Sequence, residues 1–240
     1  MPVPDRPDAL SLPSFLPRGG AMPDQAALPL SGVTILLVED SRYASDMLRM
    51  MCQRSGARLR RAETMEQARA HLRTYAPDVV IVDLGLPDGP GERLIRELAV
   101  SRRVHVVLGL SGNPEGRATA LAAGAAGFVD KPFPRMAGFQ RLILRHLPGR
   151  FSPVVLADEG HAAKADPLAF HDDLAHAADL MAASLDAPAR AYLARFIGGV
   201  ARSAGDTALA TAAGAAEAGS EGMPELRALV RRRLQEGPRF

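Results

Sequence analysis

Three short runs of Val, Ile and Leu, each ending on a charged or hydroxyl residue, constrain this chain more than any other feature. They are TILLV (34–38) before Glu39-Asp40, DVVIVD (78–83) ending on Asp83, and VHVVLGL (104–110) before Ser111. Strands so uniformly apolar are covered on both faces, the condition of a parallel sheet held between two helix layers. Two further strands are read at 57–62 (ARLRRA) and 126–130 (AGFVD). Helices fit between them: Ser41 to about Ser55, one opening at the Thr64-x-x-Gln67 capping box, then near 90–101, 113–123 and 134–147. The expected fold is α/β, a doubly wound five-stranded parallel sheet. In such sheets ligands bind beyond the carboxyl ends of the strands.

Read at those ends, the chain offers Glu39-Asp40, Asp83, Ser111 and Asp130-Lys131-Pro132. Carboxylates brought together repel one another unless a cation compensates. A hard divalent ion such as Mg²⁺, which takes carboxylate, phosphate and water oxygens, is suited to do so. A lysine opposite it neutralises phosphate oxygens as a point charge. The chain has only two lysines, Lys131 and Lys164, among 29 basic residues. The set is therefore suited to phosphoryl transfer onto a carboxylate, a reaction governed by positioning and charge stabilisation.

The run from 32 to 148 resembles the bacterial two-component receiver domain, by Glu39-Asp40, Asp83-Leu-Gly-Leu-Pro87 with Gly91 after it, Ser111, Phe128 and Lys131-Pro132-Phe133 in order. The resemblance implies a flavodoxin-like fold with Asp83 as phosphoacceptor. It implies Mg²⁺ held by Asp40, by Glu39 directly or through water, by Asp83 and by the Gly85 carbonyl. Ser111 and Lys131 would bind the phosphoryl group, Lys131–Pro132 would be a cis peptide, and Phe128 would be a switch aromatic. A core aromatic explains Phe128 equally well. Gly85 and Phe128 depart from common practice. Gly85 offers no side chain to obstruct attacking water, and Phe128 has no hydroxyl.

Beyond a linker expected at 149–166, residues 167–240 read as an Ala-rich helical bundle, with helices at about 168–185, 187–203, 205–218 and 223–236. In the second, Leu193, Phe196, Ile197 and Val200 form a buried stripe, and Arg195, Gly198, Gly199 and Arg202 form another face. Paired glycines inside a helix cost about 1 kcal/mol each against alanine, so they serve close approach or are simply tolerated. The frame Arg195-Phe-Ile-Gly198-Gly199, Ala201, Gly205, Leu209 resembles a histidine phosphotransfer domain, with Arg195 at the histidine position and Gly198 at the lysine position. This implies a degenerate domain that keeps a docking surface, Arg195, Gly198, Gly199 and Arg202, without the relay chemistry. Arg195 could then reach an aspartyl phosphate on a docked receiver. His171 and His176 are rival phosphoacceptors, which would make the bundle an active phosphotransferase.

Charge argues against nucleic acid as a partner. Residues 1–150 hold 20 Lys and Arg against 15 Asp and Glu, whereas 151–240 hold 9 against 12, and phosphate binding calls for a basic domain. A DNA-binding transcriptional regulator is the reading this disfavours. Expected partners are a sensor histidine kinase or phosphotransferase as donor, with a homodimer or second signalling protein on the helical domain. No separate enzyme activity is expected beyond the receiver's own phosphorylation and dephosphorylation. A single cysteine, Cys52, suits a cytoplasmic setting, and no apolar run reaches membrane-spanning length. Residues 1–31, rich in Pro and small residues, are expected to form a disordered tail, with no secretory leader.

Overall fold

The computed structural model describes residues 28–101, 104–147, 166–183 and 185–237. The expected linker therefore lies outside the described residues except for Asp166, as does the expected tail up to residue 27. The expected alternation is present: β1 (Thr34–Val38), α1 (Arg42–Ser55), β2 (Arg58–Ala62), α2 (Met65–Thr74) and β3 (Val79–Asp83), then a two-residue hairpin, β4 (Gly85–Leu86) and β5 (Gly89–Pro90). It continues with α3 (Glu92–Ser101), β6 (Val106–Ser111), α4 (Gly116–Ala122), β7 (Gly127–Asp130) and α5 (Met136–His146). The β4–β5 hairpin was not expected from the sequence, because two-residue strands have no period to read.

The five-stranded sheet is parallel, in the order β2-β1-β3-β6-β7. Val38 lies opposite Val82, Asp83 opposite Leu110, and Ser111 opposite Asp130. The register therefore brings the polar residues that end β1, β3, β6 and β7 to one edge. β3 is buried throughout, while β2, at the sheet edge, alternates exposed and half-buried positions, and its arginines blunt that edge against further pairing. Leu37, Ile81, Leu108, Phe139 and Ile143 fill one face of the sheet; Leu36, Val80, Val82, Leu94 and Phe128 fill the other.

Local capping fixes the entry to α1, the element that carries Asp40 to the site. The Ser41 hydroxyl accepts from the Ala44 amide at 3.0 Å. At the other end Gly56 takes a left-handed conformation, φ 83°, and its amide bonds back to the Cys52 and Gln53 carbonyls, a turn that a side chain would strain. Leu30, assigned to the tail by composition, is packed instead. The Leu30 amide donates to the Ser55 carbonyl at 2.7 Å, and the Leu30 side chain is buried in the core. One apolar residue among prolines and small residues gave the sequence no pattern from which to foresee this.

The C-terminal helices are α6 (Pro167–Ala182), α7 (Ala187–Ala204), α8 (Thr207–Ala218) and α9 (Met223–Glu236), with a 3-10 turn, Ser220–Gly222, before the last. Asp166, Asp186 and Asp206 cap the first three by accepting from amides of their first turns, which removes otherwise unpaired donors. Leu193, Phe196, Ile197 and Val200 do form a buried stripe, within a separate core that includes Leu174, Leu209 and Leu226. Arg233 holds Asp206 with Nε at 2.6 Å and Nη2 at 3.2 Å, so α9 is tied to the start of α8. Among the described residues no helix is long and apolar enough to cross a membrane.

Candidate phosphoacceptor site

Glu39, Asp40 and Asp83 converge at the strand ends, with one carboxylate oxygen from each within 4.8 Å of the others. Glu39 and Asp83 are buried and Asp40 is half-buried. The Lys131 ammonium, also buried, ion-pairs with Glu39 Oε2 at 2.6 Å and Asp83 Oδ1 at 3.4 Å. Three carboxylates thus share one fixed cation. Burial, countered in part by Lys131 and reinforced by Asp83 and Asp40, pushes the Glu39 carboxyl up to about 8. Burial and the charge of Asp83 push Asp40 up to about 6, against the pull of Tyr192 and Lys131. Burial draws the Lys131 ammonium down, but Asp83 and then Glu39 outweigh it and hold it above its ordinary value. All-oxygen donors with an excess of negative charge are the chemistry that a hard divalent cation satisfies, so the donor set fits Mg²⁺.

The other expected residues fall around this cluster. The Lys131–Pro132 peptide is cis. Ser111 lies at the end of β6, and its hydroxyl accepts from the Asn113 amide at 3.1 Å. Gly85 follows Asp83 on β4, and a Cβ placed there would stand 3.5 Å from Asp83 Oδ2. Phe128 is buried in the core, with the Arg117 guanidinium 5.1 Å from its ring centroid.

The expected docking face of α7 is not bare. It lies across the acceptor edge of the same chain. The Tyr192 hydroxyl donates to Asp40 Oδ2 at 2.7 Å. A Cβ at Gly85 would lie 4.0 Å from Arg195 Cβ, and one at Gly199 would lie 3.6 Å from Lys131 Nζ. A Cβ at Gly112, the residue after Ser111, would collide with Arg202 Nε and Cδ. Tyr192, Arg195, Gly199 and Arg202 recur at intervals of three or four, the spacing of one helix face. That face crosses the loops after β1, β3, β7 and β6 in turn. The paired glycines serve close approach. Gly199 receives Lys131, and Gly198 leaves room for the Arg202 guanidinium, whose terminal nitrogens would each be 3.1 Å from an added Cβ.

A second contact secures the dock. The buried Asp173 on α6 accepts from the Ser41 hydroxyl at 2.8 Å and from the Arg42 and Tyr43 amides, each at 3.0 Å. Those amides belong to the first turn of α1, where helical N–H groups have no partner within their own helix. Arg42 pairs with Asp172 at 2.8 Å on the exposed rim, where an ion pair contributes little.

Tyr192 and Asp173 were not singled out from the sequence, and Asp172 only as the acid that follows His171. Tyr192 lies one turn before Arg195, in the same frame, and that spacing was the available signal. Arg195 itself stands 3.8 Å from Glu217. Of the rival histidines, His171 is half-buried with Nε2 3.4 Å from the Leu234 carbonyl on α9, and His176 is exposed and meets Phe196 edge-on. Because Tyr192 places its hydrogen bond on a carboxylate, Tyr192→Phe is expected to lower the stability of the full chain by about 1–2 kcal/mol, measured by chemical denaturation. A loss below about 0.3 kcal/mol would contradict that contact.

Residues 35–143 match the family model for the response regulator receiver domain. The chain is similar to the KDP operon transcriptional regulatory protein KdpE of Escherichia coli, 38% identical over 100 residues, which are 41% of this chain and 44% of that protein. It is also 36% identical over 117 residues to the virulence transcriptional regulatory protein PhoP of Salmonella typhimurium, covering 47% of this chain and 52% of the other. The chain thus spans about half the length of the curated relatives it matches. Among solved structures it is similar to the receiver domain of sensor histidine kinase PA1611 of Pseudomonas aeruginosa, solved with magnesium in its active-site cleft. That likeness has 29% identity and a TM-score of 0.45, over 49% of this chain and 98% of that one.

Proposed function

Because the chain carries a response regulator receiver domain over residues 35–143, we propose that it accepts a phosphoryl group on Asp83 from a sensor histidine kinase or phosphotransferase. The convergence of Glu39, Asp40 and Asp83 within 4.8 Å, beside a buried Lys131, carries this reading. Asp40, Glu39, Asp83 and the Gly85 carbonyl would hold Mg²⁺, which would supply positive charge to the phosphoryl oxygens. An Asp83 carboxylate oxygen attacks phosphorus as the P–N bond of a donor phosphohistidine breaks. The electron pair goes to the imidazole nitrogen, which then takes up a proton from water. Lys131 pairs with the transferred group, Ser111 donates to it, and Phe128 responds to the movement of Ser111.

The helical domain is the output element, acting through protein contacts. Its lack of a net positive charge, with nine acids against eight bases over 167–240, and its seating on the receiver support this over DNA binding. KdpE and PhoP are transcriptional regulators by name, but the likeness covers only 44% and 52% of their lengths. The Arg195 face of α7 lies against an acceptor edge, as the face of a phosphotransfer domain would, which supports descent of the bundle from such a domain. Asp83→Asn is expected to abolish labelling by radiolabelled acetyl phosphate in Mg²⁺, and label surviving in this variant would overturn the proposal. Label on a histidine of the bundle would instead favour an active phosphotransferase.

A further inference from the structure

Arg202 on α7 is a charged side chain held between two glycines. Its Nε is buried and has no hydrogen-bond partner among the described residues. A glycine from each domain makes its slot: Gly112 beneath Nε and Cδ, and Gly198 beneath the terminal nitrogens. Burial lowers its affinity for its proton, while the negative charges of Glu217 and Asp83 counter that effect. An unmet buried donor on a charged group is costly, and removing it would be simple in evolution unless an acceptor arrives in another state. Its position beside the residue after Ser111, at the same strand end as Asp83, indicates where that acceptor would be.

Phosphorylation of Asp83 would add oxygens that accept strongly and at least one further unit of negative charge. Lys131 is already engaged with two carboxylates. A planar guanidinium is better suited than an ammonium to grip two phosphoryl oxygens at once. The helix also covers the position where Gly85 has no side chain, since Arg195 Cβ would lie 4.0 Å from a Cβ placed there.

We propose that Arg202 is a phosphoryl ligand supplied to the receiver by its own helical domain, gripping the aspartyl phosphate from the side of Gly112 while α7 covers it. The inference rests on Asp83 as the acceptor. Phosphorylation then tightens the dock. It also slows hydrolysis, in which a water oxygen attacks phosphorus and the Asp83 carboxylate leaves with the electrons of the P–O bond.

The test uses the full chain in Mg²⁺, with beryllofluoride as the phosphoryl mimic and with the half-life of label introduced by acetyl phosphate. Arg202→Ala is expected to weaken beryllofluoride binding about tenfold and to shorten the half-life several-fold, with Arg202→Lys recovering part of both. Gly112→Ala leaves the arginine in the chain but displaces its guanidinium, and should act in the same direction if Arg202→Ala does not fold. Wild-type affinity and half-life in Arg202→Ala and Gly112→Ala, with the wild type labelled on Asp83, would overturn the role of Arg202 alone. A wild type that neither labels on Asp83 nor binds beryllofluoride would overturn the acceptor reading as well.

Discussion

Asp173→Ala is expected to release the helical domain from the receiver and to raise the rate of phosphoryl uptake on Asp83 by at least about tenfold. One buried carboxylate accepts three hydrogen bonds, from the Ser41 hydroxyl and the Arg42 and Tyr43 amides. Hydrogen bonds to charged groups contribute about 1.5–3 kcal/mol each, and leaving buried donors unmet adds a desolvation cost. The cost falls on the docked state alone, because water satisfies the same amides once the domains part. Burial also raises the pKa of Asp173, an effect that its three donors oppose, so the net loss is smaller than the sum of the bonds. A net loss of about 3 kcal/mol would shift the closed–open balance by roughly a hundredfold. α7 covers the acceptor edge while docked, so uptake should rise with the open population. Uptake within about twofold of wild type, with an unchanged hydrodynamic radius, would contradict a latch at Asp173.

The second large effect concerns Lys131. Lys131→Met keeps most of the side-chain volume but leaves Glu39, Asp40 and Asp83 without their fixed cation. Removing one partner from a buried ion pair costs about 3–5 kcal/mol, because the other charge remains uncompensated. Metal-free Lys131→Met is therefore expected to unfold at markedly lower denaturant than wild type. Mg²⁺ should restore more stability to the variant than it adds to wild type, since the ion then supplies the only strong compensation within the cluster. Equal stability of the two metal-free proteins would show that the 2.6 Å contact with Glu39 and the 3.4 Å contact with Asp83 do not carry the weight assigned to them.

The receiver half was largely legible because its signals are local. Apolar runs mark buried parallel strands, and the residue at which each run stops falls at the ligand edge once the register is set. Glu39, Asp40, Asp83, Ser111 and Lys131 were all found in this way. The seating of α7 was not legible. The contact between Tyr192 and Asp40 joins residues 152 positions apart, and no period in either helix encodes it. Gly198-Gly199 signalled close approach, but the sequence could not say to what. The structure places Lys131 and Arg202 against that pair. Arg195 occupies the histidine frame but stands near Glu217, whereas Arg202, two turns on, reaches Gly112. Asp173 has no motif or period to mark it, because the groups it binds on Ser41, Arg42 and Tyr43 lie about 130 positions away.

Amide exchange at the start of α1 reports on the seating of the helical domain against the acceptor edge of its own receiver. The Arg42 and Tyr43 amides lie in a first turn, where helical N–H groups ordinarily face water and exchange quickly. In the wild-type chain both should exchange slowly, because Asp173 accepts from them, and the protection should vanish in Asp173→Ala while the amides of β3 remain protected. Fast exchange at Arg42 and Tyr43 in the wild type, with β3 intact, would contradict the docked arrangement.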